Sequence, residues 1–264
     1  MTADASGAGA GLLGHEDSAA ARYFERAQAL LREITRGEAQ ALESAAQLVE
    51  AAVGKGGLLY ATGSGHSHML AEEIFYRAGG LMAVKPILEP SLMLHQGAIK
   101  SSSVERLEGL ARLLSDDAGL SGRDALIVAS NSGRNAYPVE MALVARAREC
   151  PVIAVTSVSH SAAVTSRHSS GRKLLDVADV IVDTHVPYGD AAVDIAGVAG
   201  KVGPLSTLAG VLIVNAIVCR ATERLAQKGL SPDIFVSANL AEAQADERRY
   251  HERLAYWRTR IRGL

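Results

Sequence analysis

Gly57-Leu58-Leu59-Tyr60-Ala61-Thr62 runs into Gly63-Ser64-Gly65-His66-Ser67-His68, and Ala125-Leu126-Ile127-Val128-Ala129 runs into Ser130-Asn131-Ser132-Gly133-Arg134-Asn135. Both apolar runs are too short for helices and read as buried strands. Both end in glycines and small hydroxyl residues, and a helical pattern follows each. Such a strand-to-helix turn aims backbone N–H groups and hydroxyls at one point beside the positive end of a helix dipole, which makes an anion site. The two turns lie about 70 residues apart, as repeated βα units do.

Outward from these turns, apolar residues at helical spacing predict a helix over residues 20–53, ended by Gly54-Lys55-Gly56-Gly57. A helix over 69–78 and an apolar strand within 81–88 follow, then a polar loop or irregular helix over 91–103 and a helix over 104–114. Pro138 falls in the first turn of the helix after the second serine-rich turn, where its missing N–H is harmless. Further strands are expected at 152–155 and 180–183, a loop at 186–202, and helices at about 205–228 and 240–258. Alternating strands and helices imply a parallel sheet covered on both faces. Ligands of such sheets bind at the carboxyl ends of the strands, near the switch in strand order. Residues 63–68, 89–96, 130–135, 156–161 and 184–190 therefore frame the expected pocket.

The chain has 264 residues, 48% hydrophobic and 21% charged, with a net charge of −2 and no basic tract. That charge excludes nucleic acid and anionic membrane as partners held by a general electrostatic field. Cys150 and Cys219 lie in apolar segments and are expected to be buried free thiols in a reducing, cytoplasmic setting. Residues 1–16 read as a flexible Ala/Gly-rich tail rather than a signal peptide, and 17–264 as a single domain. The apolar run 205–218 is too short to span a bilayer and reads as a buried helix.

Ser130, Ser132 and Asn135 form the leading candidate site. Two hydroxyls and an amide, with the backbone N–H groups of Asn131, Ser132 and Gly133, suit a dianionic phosphate. Helix capping requires one such residue, not a cluster. A dinucleotide fingerprint beginning at Gly63-Ser64-Gly65 is weakened by His68, which stands where the third glycine belongs. His66, His68 and His95 lack the carboxylate motif of a metal centre, so no metal and no cofactor are expected. Ser67 between two histidines lacks the glycines of a nucleophile elbow. Glu89 and His95 lie just past the second strand, His185 and Asp190 just past the fifth. A carboxylate and an imidazole on a pocket rim suit proton transfer.

These motifs, with the strand end Val155-Thr156-Ser157, resemble those of SIS (sugar isomerase) domain proteins. The stretch Gly65-His66-Ser67-His68-Met69-Leu70-Ala71-Glu72-Glu73, then Tyr76-Arg77-Ala78-Gly79-Gly80, resembles a single-domain bacterial branch of that family. So does Ser132-Gly133-Arg134-Asn135 with Pro138-Val139-Glu140-Met141-Ala142. The resemblance covers residues from about 20 to the C-terminus. It implies a flavodoxin-like three-layer αβα sandwich with a five-stranded parallel sheet and extra N- and C-terminal helices. It also implies a homodimer, or a higher assembly, and a phosphorylated sugar as ligand. Gly65, Ser67, Ser130, Asn131, Ser132, Gly133, Asn135 and Ser157 would bind that ligand. The expected activity is an isomerase, or a lyase or dehydratase, on a hexose or amino-sugar 6-phosphate such as N-acetylglucosamine 6-phosphate. Glu89 is the first choice of base, with His95 or His185 as proton relay. The alternative is a non-catalytic phosphosugar sensor.

Overall fold

The computed structural model describes residues 18–237 and 247–264. The expected tail, residues 1–16, and the start of the last helix expected at 240–258 lie outside them. Two helices open the described chain, α1 (Ala19–Gly37) and α2 (Ala39–Gly54). The Ser18 side chain caps α1 by accepting from the Ala21 N–H at 3.1 Å. One helix was expected here. The break falls at Glu38, whose carboxylate accepts from the Asp183 N–H (3.0 Å) and lies 2.8 Å from His185 Nε2. A tertiary contact thus bends a run whose spacing alone is continuous.

There follow β1 (Leu59–Gly63), the short α3 (Met69–Glu73), β2 (Val84–Ile87), α4 (Ala98–Val104) and α5 (Leu110–Ala118). Next come β3 (Ala125–Ala129), α6 (Ala136–Ala147), β4 (Val152–Thr156), α7 (Val158–Ala162) and β5 (Val180–Asp183). The segment expected as a loop at 186–202 instead contains β6 (Ala191–Val193), whose antiparallel partner is β7 (Val202–Pro204). Each has only three residues, below the length at which alternation is visible. The long α8 (Ser206–Gln227) and α9 (Glu247–Arg260) complete the chain.

The five longer strands form one parallel sheet in the order β2-β1-β3-β4-β5, the flavodoxin-like order. All five residues of β3 are buried; burying one such isoleucine or leucine stabilises the fold by about 1.5–3 kcal/mol. Helices α1, α2, α3 and α8 pack together on one face, and α5 and α6 on the other, the arrangement that right-handed crossovers impose. The switch in strand order lies between β1 and β3, which brings the ends of those two strands side by side.

Among the described residues no helix is long and apolar enough to cross a membrane. Helix α8 buries Ile213, Val214, Ile217, Val218 and Ala221. Both cysteines are free, and Cys150 is buried as expected, which pushes its thiol up to about 12. Cys219 is exposed, contrary to the expectation. Ile217, Val218 and Ala221 occupy the core face of α8, and the 3.6-residue repeat turns position 219 outward.

Candidate functional site

Each candidate turn closes for a visible reason. A Cβ on Gly63 would stand 2.5 Å from the carbonyl carbon and oxygen of Ser67, so only glycine allows the turn after β1 to fold back on its strand. Gly65 holds φ +57° and opens a 3-10 turn over Gly65–His68 that leads into α3. Beyond β3, the Ser130 hydroxyl accepts from the Gly133 N–H at 3.2 Å, with Gly133 at φ +58°. The Asn131 carbonyl accepts from the Ser157 N–H (3.1 Å) and the Thr156 hydroxyl (3.3 Å), which ties this turn to the end of β4.

Asn135 occupies the N-cap of α6 with extended backbone, yet its side chain does not cap the helix. Its Nδ2 donates to Glu105 Oε1 (2.5 Å), and its Oδ1 accepts from Arg167 Nη1 (3.0 Å). The other oxygen of Glu105 accepts from the Ser64 hydroxyl at 2.6 Å. One carboxylate therefore joins the turn after β1 to the turn after β3. Burial raises the pKa of Glu105 above the ordinary 4.5, while the Ser64 hydrogen bond and the charges of Arg106 and Arg167 oppose the rise.

A group whose folded pKa is raised binds its proton more tightly in the folded state than in the unfolded chain. The stabilising contribution of Glu105 is accordingly complete below the unfolded value and is lost as pH rises through the folded one. Denaturant unfolding of the wild type and Glu105→Gln between about pH 4 and 8 is expected to show the wild type losing ground to the variant as pH rises above 4.5. A difference independent of pH would show that burial does not govern this carboxyl.

A narrow cleft of about 20 Å³ opens where the strand ends meet α8, and His66, Ser67, Asn131, Thr184, Ser206 and Thr207 contribute to its lining. Asn131 Oδ1 and Thr184 Oγ1 are buried there, and neither has a hydrogen-bond partner among the described residues. Each such orphan costs about 1–3 kcal/mol in a folded chain unless a ligand or water satisfies it. On the far side of Asn131, its Nδ2 lies 3.3 Å from His160 Nδ1, and the His160 ring packs against Tyr188 with centroids 4.9 Å apart. Burial lowers the pKa of His160, with Asp190 acting in the opposite sense, so the neutral imidazole is favoured.

The structure brings Gly65, Ser67, Ser130, Asn131, Ser132, Gly133 and Asn135 together in the two adjoining turns. Ser157 lies beside them, but its hydroxyl donates to the Val186 carbonyl (2.6 Å) and accepts from the His160 N–H (3.1 Å). The other candidates are dispersed. Glu89 caps a 3-10 turn by accepting from the Ser91 N–H at 3.0 Å. It stands near Tyr137, whose phenol is raised by burial, lowered by its bond to Thr62 and raised again by the Glu89 charge. His95 is exposed on the next 3-10 turn. His185 is enclosed by Glu38 (2.8 Å), Glu33 (3.4 Å) and Asp183 (3.7 Å) at the break between α1 and α2. Asp190 accepts from the Leu205 and Ser206 N–H groups and the Ser206 hydroxyl at the start of α8. Among the described residues no three His, Cys, Asp or Glu side chains are placed to hold a metal ion.

Glu105, His160, Tyr188 and Thr184 were not singled out from the sequence. Thr184, Tyr188 and His160 fall within the strand-end windows 184–190 and 156–161, which is the signal that finds them. Glu105 lies in no such window. It is 41 residues from Ser64 and 30 from Asn135.

A family model described as the SIS domain matches residues 22–157. A UPF0309 protein from Geobacillus thermodenitrificans is 40% identical over 232 residues, covering 88% of this chain and 93% of the relative. Among solved structures, a phosphoheptose isomerase from Neisseria gonorrhoeae superposes with a TM-score of 0.52 at 17% identity, over 77% of this chain and 97% of that one. The Vibrio vulnificus NanR protein complexed with ManNAc-6P superposes with a TM-score of 0.51 at 17% identity, over 82% of this chain and 67% of that one. At such identity the two superpositions establish the shared fold.

Proposed function

The chain belongs to the SIS domain family, and from that premise we propose that residues 17–264 act as one SIS domain that binds a phosphorylated sugar and reacts it. The activity is isomerisation, or elimination by a lyase or dehydratase, of a hexose or amino-sugar 6-phosphate such as N-acetylglucosamine 6-phosphate. The observation that carries this reading is the pairing of the two turns beside a cleft holding the orphaned Asn131 Oδ1 and Thr184 Oγ1. A carbonyl oxygen and a hydroxyl left unpaired suit sugar hydroxyls, which donate and accept. The Ser132 and Ser67 hydroxyls and the backbone N–H groups of Asn131 and Ser132 suit the phosphate.

With the phosphate anchored, the open-chain sugar lies across the strand ends, and positioning supplies much of the rate. A carboxylate takes the proton from the carbon next to the carbonyl, and a proton delivered to the carbonyl oxygen gives an enediol. Protonation of the former carbonyl carbon, with loss of the proton from the neighbouring hydroxyl, completes isomerisation; expulsion of the substituent on the next carbon, protonated as it leaves while the enediol returns to a carbonyl, completes elimination. Glu89 serves as base in this scheme, with Glu105 the second carboxylate close to the turns. His95 or His185 serves as relay in this scheme, with His66 in the cleft lining and His160 beside Asn131 as further imidazoles. The functional unit is a homodimer, a reading supported by Leu208 and Leu212, which remain about 40% exposed on α8.

Sugar phosphates are expected to stabilise the protein against thermal unfolding, by about 2.7 kcal/mol at a hundred times Kd, and their dephosphorylated counterparts are not. In deuterated water the true substrate exchanges its C2 proton, followed by NMR, and Glu89→Gln is expected to abolish exchange while binding persists. Stabilisation without exchange for every sugar phosphate that binds would make the protein a sensor instead. Full exchange in Glu89→Gln would pass the role of base to Glu105.

A further inference from the structure

At the opposite pole of the sheet, where the parallel strands begin, lies an open pocket of about 220 Å³ lined by Tyr60, Lys85, Arg123, Asp124 and Arg260 among others. Tyr60 and Lys85 are direct neighbours in the β1–β2 register, so their side chains leave the same face of the sheet. Both donate to the carbonyl of Ala118 at the end of α5, Tyr60 at 2.9 Å and Lys85 at 2.7 Å. The Lys85 ammonium stands 5.6 Å from the centre of the Tyr60 ring. Arg260 reaches in from α9. Its guanidinium donates to the Gly56 carbonyl (2.6 Å) and the Tyr256 hydroxyl (3.2 Å), and it lies over the rings of Trp257 and Tyr256.

The charges here are unbalanced. Among the described residues, none of Lys85, Arg123 and Arg260 lies within ion-pair distance of a carboxylate, whereas Arg77, Arg148, Arg220 and Arg224 all do. The acid in the pocket, Asp124, is engaged by the N–H groups of Leu58 and Ser121 and by the Ser121 hydroxyl. Asp117 nearby is paired with Arg262 at 3.6 Å. The half-buried Lys85 ammonium has lost part of its hydration, and burial outweighs the attraction of Asp124 and Asp117, which act on it from beyond ion-pair distance. A guanidinium fixed by two rings and a carbonyl is already ordered for an anion, which removes part of the entropy cost of binding one.

We propose that Lys85, Arg123 and Arg260 form a second anion site, which takes a small multiply charged oxyanion of the phosphate or pyrophosphate type. It is separate from the sugar cleft by the length of a strand, about 15 Å. An anion there would bridge β1, β2, the turn before β3 and α9, clamping the C-terminal helix against the sheet.

Titration of the full chain with pyrophosphate by calorimetry tests this independently of the sugar reading. Binding that persists in Ser132→Ala is expected, weakened about tenfold or more by Lys85→Met and likewise by Arg123→Ala, with sugar-phosphate affinity unchanged in both. Arg123 is exposed, so its variant keeps the test valid should Lys85→Met fail to fold. Pyrophosphate binding that vanishes in Ser132→Ala, that is unaffected by Arg123→Ala, or that is not detected at all overturns the proposal. Loss of binding in Ser132→Ala would place the anion in the serine turn, and the other two outcomes leave the sugar reading untouched.

Discussion

Ser132→Ala is expected to weaken binding of the sugar phosphate by about 10- to 100-fold while leaving the unfolding free energy within about 0.5 kcal/mol of wild type. Ser132 lies half-exposed in the middle of the turn after β3, so little packing is lost with its hydroxyl. Its neighbours already have structural tasks: Ser130 closes the turn onto Gly133, and Asn135 is divided between Glu105 and Arg167. A hydrogen bond to a charged group contributes about 1.5–3 kcal/mol, and that range sets the expected loss. Isothermal titration against the dephosphorylated sugar separates phosphate recognition from sugar recognition, since the weak affinity of the latter is expected to be the same in both proteins. Unchanged affinity for every sugar phosphate would remove the serine turn from the site and, with it, the proposed activity.

Gly63→Ala is expected to have a large effect on stability, a loss of about 3 kcal/mol or more. The added Cβ would stand 2.5 Å from the Ser67 carbonyl carbon and oxygen and 2.9 Å from the His68 nitrogen. All three are backbone atoms, so relief requires the turn to lift from the end of β1 rather than a side chain to rotate. For a chain of this size such a loss lowers Tm by roughly 6–12 °C. Gly65→Ala is the matched control. No atom lies within 4 Å of its added Cβ, and its φ of +57° alone is strained, which costs roughly 1–2 kcal/mol. Equal losses in the two variants would show that conformation, rather than close approach, demands glycine at position 63.

The strand runs were legible because each is short, continuous in apolar residues and punctuated by glycine or a small hydroxyl. That is why β3 and β5 were placed to the residue and the two turns were located from the sequence. The long helical spacing over 20–53 was equally legible, yet its division at Glu38 was not. Nothing in the local pattern records that a carboxylate will reach Asp183 and His185, about 145 residues away. The same limit applies to His185. A strand-end histidine reads as a pocket residue, and only the packing of the α1–α2 break against the end of β5 adds Glu33 and Glu38 to the adjoining Asp183.

By itself the sequence determined the parallel βα architecture, the end of the sheet at which the candidate cleft opens and the residues that build the two turns. All of these follow from hydrophobic period and from conformations that only glycine or small polar residues adopt, which are properties of neighbours along the chain. The tertiary structure alone decided that Glu105 would tie the turns together, that Asn131 and Thr184 would be left with unsatisfied oxygens, and that three cations would gather at the other pole. Those features depend on side chains brought within hydrogen-bond reach from segments tens of residues apart. Their separation in space is set by how the layers pack, and no local pattern carries that information.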